Sequence, residues 1–315
     1  MAIREIITPE LLKATYIAGV DLTFDDGTPY TDEMFEVAID TAISAIEMEL
    51  GIHIDPVSYS EERHDSRDAD RSSYFLMNLD NRPVASIDNI SIRHGNYKPI
   101  SLPVAWYNLI LPKQGQVHII PTAESLGGFF FTQGGFVYPS LLLANYEYFP
   151  GYFSLDYTAG FQFDEGSFTI PSGPKGQTLT IDFSEKMLEK ASLYFDTTSI
   201  VVKKVGATSF TIKTTEDLIA DLVVEWKSTT TPSALVKAIL LVAAILPLDV
   251  AGDLIAGAGI AEQSISVDGL SQNIRTTSSA TNAGYGARIL SFQKQLQTLM
   301  LSLKSQFKTN GVFNL

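Results

Sequence analysis

Four histidines, His53, His64, His94 and His118, and 36 acidic residues are the groups from which this 315-residue chain could assemble a chemical site. A zinc centre needs three or four convergent ligands, and HxxxH or HExxH on a helix is the common way to bring two of them to one face. No such pair occurs, and the histidines stand singly, as ordinary surface or strand residues do. The chain has no cysteine, so disulfides, thiol nucleophiles and thiolate metal sites are excluded together. His64 lies in SEERHDSRDADR, whose mixed charges could meet calcium but lack the DxDxDG spacing of an EF-hand loop, so a solvated loop is expected there. No GxSxG elbow is present. The glycine-rich AGAGIA at 256–261 has neither GxGxxG nor the lysine of a phosphate-binding loop. Paired carboxylates of a glycosidase are defined by separation in space, and among 36 acids chance pairs are expected. The residues point to no catalytic site, no metal and no cofactor.

Composition bounds the remainder. With 45% hydrophobic residues the chain has ample material for one large domain or two ordinary ones. A formal charge of −14 makes the average surface repel nucleic acid and anionic lipid. Such a wall could still line a DNA passage, because affinity for a duplex comes mainly from Lys and Arg neutralising phosphates. The opening MAIREIITPELL has no apolar core after its basic residue, so a cleaved secretory signal is not expected. The one long apolar stretch, Leu235 to Leu246, contains Lys237 and meets Pro247, Asp249 and Asp253. It is short of the roughly 20 residues a membrane span needs and reads as a buried helix.

The elements follow from periodicity. Thr8-Pro9-Glu10 has the order of N-cap, first-turn proline and first-turn acid, with Gly19 as a candidate end of a short helix. Phe35, Ile39, Ala42, Ile43, Ile46 and Leu50 share one face of a helix over 31–50 that Gly51 can end, and Glu36, Asp40, Glu47 and Glu49 lie on its solvated side. From Val57 to Phe163 short apolar runs split by Pro, Gly and Asn predict strands. Within them, the aromatic stretch 129–153 fits either a buried strand cluster or an interface loop. Residues 166–230 form an apparent insertion, with GSFTIPSGPKGQ as a linker-like entry, TTTPSA as an exit and alternating strands such as TSFTIK and ADLVVEW between. A helix from Pro232 is expected to end or kink at Pro247, with a second short helix at 249–258.

The last segment begins SISVDGLSQNI, an alternating run into an expected turn at Asp268-Gly269. Beyond a polar stretch, Ile289, Phe292, Leu296, Leu299, Leu303 and Phe307 recur at three- and four-residue steps, which predicts an amphipathic helix over 284–308. Its stripe suits docking on its own domain or packing against copies of itself. From Gly269 onward there are five basic residues, Arg275, Arg288, Lys294, Lys304 and Lys308, and no acid, so the rest of the chain carries −19 (17 basic against 36 acidic residues). That asymmetry fits a head-to-tail contact between neighbouring subunits, the heterologous kind that closes rings, or a direct contact with DNA.

LLKATYIAGVDLTFDDGTPYTDEMFEVAIDTAISAIEMELGI, then FPGYFSLDYTAGF, then SALVKAILLVAAILPLDVAGDLIAGAGIAEQSISVDGLSQNI resemble, in that order, the head-tail connector (adaptor) proteins of tailed bacteriophages. SISVDGLSQNI is the most specific piece, and the match spans most of the chain outside 166–230. IDFSEKMLEKASLYFDTTSIVVKKVG within the insertion weakly resembles bacterial Ig-like modules.

The resemblance implies an α+β chain. Its connector core has N-terminal helices, an apolar helix and a long C-terminal helix, with a β-rich middle and an inserted small β-subdomain. The expected parts are 1–165, 166–230 and 231–315. It also implies a virion protein made in the host cytoplasm that forms a homo-oligomeric ring of twelve copies under the portal protein. The ring would extend the channel for double-stranded DNA, without specific binding, and offer a platform to the stopper or tail. No membrane partner is implied. The residues expected at a subunit or portal interface are Arg275, Arg288, Ile289, Phe292, Lys294, Leu296, Leu299, Leu303, Lys304, Phe307, Lys308, Val312 and Phe313. A surface-binding, adhesin-like virion protein using the β-subdomain and the aromatic loop is the alternative.

Overall fold

The computed structural model describes residues 2–24, 27–67, 75–93, 99–120, 148–182, 192–206, 209–256, 262–267, 270–275 and 285–307. Among them the helices are α1 (Pro9–Thr15), α2 (Asp32–Leu50), α3 (Ser233–Ala256) and α4 (Gly286–Phe307). The strands are β1 (Val57–Arg67), β2 (Met77–Asn78), β3 (Val84–Ile92), β4 (Ile100–Ser101), β5 (Tyr107–Leu111), β6 (Gln116–Ile119) and β7 (Tyr148–Ala159). They continue with β8 (Phe163–Ile170), β9 (Thr178–Asp182), β10 (Ser192–Phe195), β11 (Ile200–Val205), β12 (Ser209–Thr214), β13 (Leu222–Thr229), β14 (Glu262–Val267) and β15 (Leu270–Arg275). The fold is mixed α+β with antiparallel sheets and a long helix near the C-terminus. Two compact units make it up: Met1–Glu49 with Gln162–Leu303, and Leu50–Phe161 with Lys304–Leu315.

In the first unit, α1 starts as its sequence dictates, with the Thr8 hydroxyl accepting from the Leu11 N–H at 3.3 Å and Pro9 in the first turn. It ends sooner than expected: the Tyr16 N–H closes the last turn on Leu12, and Gly19, with φ 79°, belongs to the following turn instead of capping the helix. Helix α2 buries Phe35, Ala38, Ile39, Ala42, Ile46 and Leu50, and Gly51 follows it in the left-handed region at φ 61°. The largest departure is α3, which does not stop at Pro247. Helix continues through Pro247 to Ala256, so the residues expected to form a second helix extend the first. Proline removes one backbone hydrogen bond from the ladder, while Leu241, Ala244, Leu248 and Ala251 around it remain buried. The helix is long and apolar enough to cross a membrane. Leu235, Ala238, Leu240 and Leu241 are buried around its circumference, as in the core helix of a globular fold.

The inserted strands build two three-stranded sheets, ordered β10-β13-β8 and β11-β12-β9. Ile170, Ile200, Phe210, Ile212, Val224 and Trp226 form one buried cluster from both sheets, so the insertion is a small β-sandwich with its own core. GSFTI is not a linker. It belongs to β8, which pairs along its whole length with β13 from Phe163↔Thr229 to Ile170↔Leu222. Gln162 and Thr230 close the base with two hydrogen bonds: the Gln162 N–H donates to the Thr230 hydroxyl and the Thr230 N–H to the Gln162 carbonyl, both at 3.0 Å. The SEKMLEKA stretch behind the Ig-like resemblance lies outside the described residues. Further on, β14 and β15 pair antiparallel with Val267 opposite Leu270; the turn expected at Asp268-Gly269 is itself outside the described residues.

The second unit holds a four-stranded sheet, β1-β7-β3-β4, and a three-stranded one, β2-β6-β5. Their shared core includes Phe75, Ile90, Trp106, Val117, Ile119, Phe153, Leu155 and Tyr157. The expected loop around His64 is instead part of β1, because SYSEERHDS pairs antiparallel with β7. His94 and residues 129–147 of the aromatic stretch lie outside the described residues, while Tyr148 to Phe153 are the start of β7.

Candidate functional site

Helix α4 carries most of the residues expected to face a partner, and the fold divides them. Ile289, Phe292, Leu303 and Phe307 are buried in the chain itself, Leu296 and Leu299 are half-buried, and Lys294 and Lys304 are exposed. Arg288 donates to the Tyr16 carbonyl at 2.6 Å, and its guanidinium lies 5.8 Å from the centre of the Phe292 ring. Phe292 also meets the Tyr16 ring edge-on, with centroids 5.6 Å apart. In the second unit Phe307 takes the Phe161 ring edge-on at 6.0 Å, and the Lys113 ammonium stands 5.8 Å from the Phe307 centroid. Arg275 belongs to β15, and its side chain, like all of Lys308, Val312 and Phe313, falls outside what is described. The apolar stripe that periodicity singles out is therefore the inward face of α4. Its outward apolar residues, Leu290 and Leu301, were not singled out by the three- and four-residue steps.

The densest polar constellation was not foreseen. A β-bulge in β1 between Tyr59 and Glu62 leaves Glu61 in the left-handed region at φ 57°. The extra residue shifts the alternation by one, so that Tyr59 on one side of the bulge and Glu62, His64 and Ser66 on the other all turn inward. Two neighbours hold the bulge: Asp156 accepts from the Glu61 N–H at 2.8 Å and from the Asn89 amide at 3.2 Å, and Arg93 pairs with the Glu61 carboxylate at 2.5 Å.

Glu62 then becomes the hub. It accepts from His64 Nε2 at 2.7 Å, the Tyr157 hydroxyl at 2.5 Å, the Asn81 side-chain amide at 3.0 Å and the Asp80 N–H at 3.2 Å. Because the Asn81 NH₂ points at Glu62, its carbonyl oxygen faces His53, and His53 Nε2 is the donor there at 3.2 Å. The same nitrogen lies 2.9 Å from the Tyr59 hydroxyl, and the Tyr59 ring stacks on Tyr157.

Burial by itself would raise the Glu62 pKa. The donors from His64, Tyr157 and Asp80 outweigh it and bring the carboxyl down to about 2. Burial, followed by the bond to Glu62, pushes the Tyr157 phenol well above its usual range. A carboxylate so acidic is a weak proton acceptor near neutral pH, where a general base works best with a pKa near the ambient value. Its four donors make it an anchor tying β1, β7 and the Asp80-Asn81 turn together. Among the described residues no group of three His, Cys, Asp or Glu side chains could hold a metal.

One further concavity, of about 350 Å³, lies in the first unit between α1 and α2, lined by Arg4, Ile7, Pro9, Glu10, Glu36 and Asp40 among others. Its charges are in part matched internally, since Arg4 pairs with Asp40 and Lys13 with Asp32. No protein-family model matches the chain, and comparison with curated proteins finds no match.

Proposed function

We propose that this chain is a structural virion protein of a tailed bacteriophage, a head-tail connector that assembles as a ring beneath the portal, extends the DNA channel and offers a docking platform to the stopper or tail. The observation that carries it is the order of the elements in the segments of the resemblance. A helix pair, α1 and α2, precedes a sheet whose central strand ends in YTAGF; then come the apolar α3, the SISVDGLSQNI hairpin strands and the terminal helix α4. The copy number of twelve, the portal and the stopper or tail are what the resemblance implies. The excess of acid outside the last 47 residues favours a channel wall along which a duplex slides without sticking. The sandwich β8–β13 is decoration on the ring, joined at a base between Gln162 and Thr230.

A second function, surface binding by the sandwich, draws support from its separate core. The two are told apart by electron microscopy of the purified chain with its portal protein. A connector gives rings of cyclic symmetry on the portal, and removing residues 308–315, beyond the buried stripe of α4, reduces docking. A chain that remains monomeric beside the portal, with binding to host surfaces that survives in the sandwich alone, sinks the connector function.

A further inference from the structure

Two exposed helix faces in the first unit match one another in length, polarity and charge. Along α2, away from its buried face, runs a stripe of Met34, Val37, Thr41, Ser44, Ala45 and Met48, all exposed and none charged. Val37 and Met48 are 60% and 83% exposed, values that ordinary interior packing does not leave on methionine and valine. The steps from Met34 through Val37, Thr41 and Ala45 to Met48 are three and four residues, so the stripe runs straight along the helix for ~21 Å. Its small central residues leave the flat, close-approach surface that a second helix needs. Exposed Glu33 and Glu36 flank it on one side.

On α4 the outward face has Leu290 at 44% and Leu301 at 68% exposure, ~17 Å apart along the helix, with Gln297 between them and Lys294 beside them. This face has the opposite charge and no acid anywhere along it.

We infer that the outward face of α4 in one copy docks on the outward face of α2 in the next, with Leu290 and Leu301 covering the Met34–Met48 stripe and Lys294 facing Glu33 and Glu36. The occupant is a second copy of this chain, because the complementary face is present on the same molecule. A face-to-different-face contact of this kind is heterologous and propagates from copy to copy until it closes. The charges fix the direction of pairing, since α2 against α2 would oppose acids and α4 against α4 would oppose lysines. The inference rests on the ring proposed above and supplies its subunit contact.

The test uses two double variants of the full chain. V37R/M48R spoils only the α2 face, and L290E/L301E only the α4 face; unchanged circular dichroism and melting temperature check that each folds. Masses are read by mass photometry with and without the portal protein. Wild type is expected to form the multi-copy species, and each variant alone to fall to the mass of one chain. An equimolar mixture is expected to give a species of two chains and nothing larger, because one intact face on each variant can meet only once. Either variant assembling alone as wild type does, or a mixture that stays at one chain, overturns this contact while the ring stands. A wild-type chain that remains single on the portal overturns the ring, and the contact with it.

Discussion

The Tyr157 hydroxyl donates to Glu62 at 2.5 Å across the β1–β7 ladder, joining the strand that ends in YTAGF to the bulge that turns Glu62 inward. Tyr157 is fully buried, so its hydroxyl has no water to fall back on, and Glu62 is the partner that satisfies it. Stability of the second unit should therefore depend on this carboxylate and on its charge.

Glu62→Gln should destabilise the protein at neutral pH by about 2–3 kcal/mol, as loss of a charged acceptor that serves a buried hydroxyl and half-buried donors does. The pH dependence has a fixed sign. With a folded pKa of about 2 against an ordinary 4.5, the folded state binds the proton more weakly. The stabilisation is complete above pH ~4.5 and is lost as pH falls from there toward 2, a change on the order of 3 kcal/mol. Denaturant titrations at pH 7, 4 and 2.5 should show wild type losing more than Glu62→Gln, and equal losses would remove Glu62 from the account.

Gly160→Ala should be more damaging than its size suggests. Gly160 has φ 109°, its N–H donates to the Pro83 carbonyl at 2.7 Å, and a Cβ there would lie 2.3 Å from the Asp55 carbonyl oxygen. Both the backbone conformation and the close approach exclude a side chain, so a loss of at least ~2 kcal/mol is expected. Thermal melting of the variant checks it.

In the sandwich, Phe210 is buried and meets the Phe168 and Phe195 rings edge-on at 5.1 and 5.5 Å. Phe210→Ala should cost about 3–5 kcal/mol by leaving a cavity among rings that cannot collapse into it. Hydrogen exchange should show the loss of protection concentrated in β8–β13, because those six strands have a core of their own. Loss spread evenly over the chain would contradict that separation.

Phe292 and Leu301 separate folding from assembly on α4. Phe292→Ala removes a buried ring held against Tyr16 and Arg288, and should lower the stability of the single chain by about 3 kcal/mol. Leu301→Ala, at an exposed position, should change it by no more than ~0.5 kcal/mol. Chemical denaturation of dilute, monomeric protein measures both.

Much of the architecture is legible in the residues. Thr8 and Pro9 set the start of α1, the apolar spacing fixes α2 and α4, and alternating runs mark the strands of both β regions, because caps and periodicity act over a few neighbouring residues. Tertiary structure decided matters that depend on residues distant in sequence. The chain continues as helix through Pro247 because burial outweighs one missing hydrogen bond, and GSFTI is a strand because β13, some 55 residues later, pairs with it. Glu62 and His64 come together with Tyr157 and Asn81 only through a bulge and a ladder joining positions about 95 residues apart, so no spacing in the sequence announces them. Periodicity found the stripe of α4 but not which way it faces. Burial of Ile289, Phe292, Leu303 and Phe307 assigns that stripe to the chain's own core, and leaves Leu290 and Leu301 on the surface.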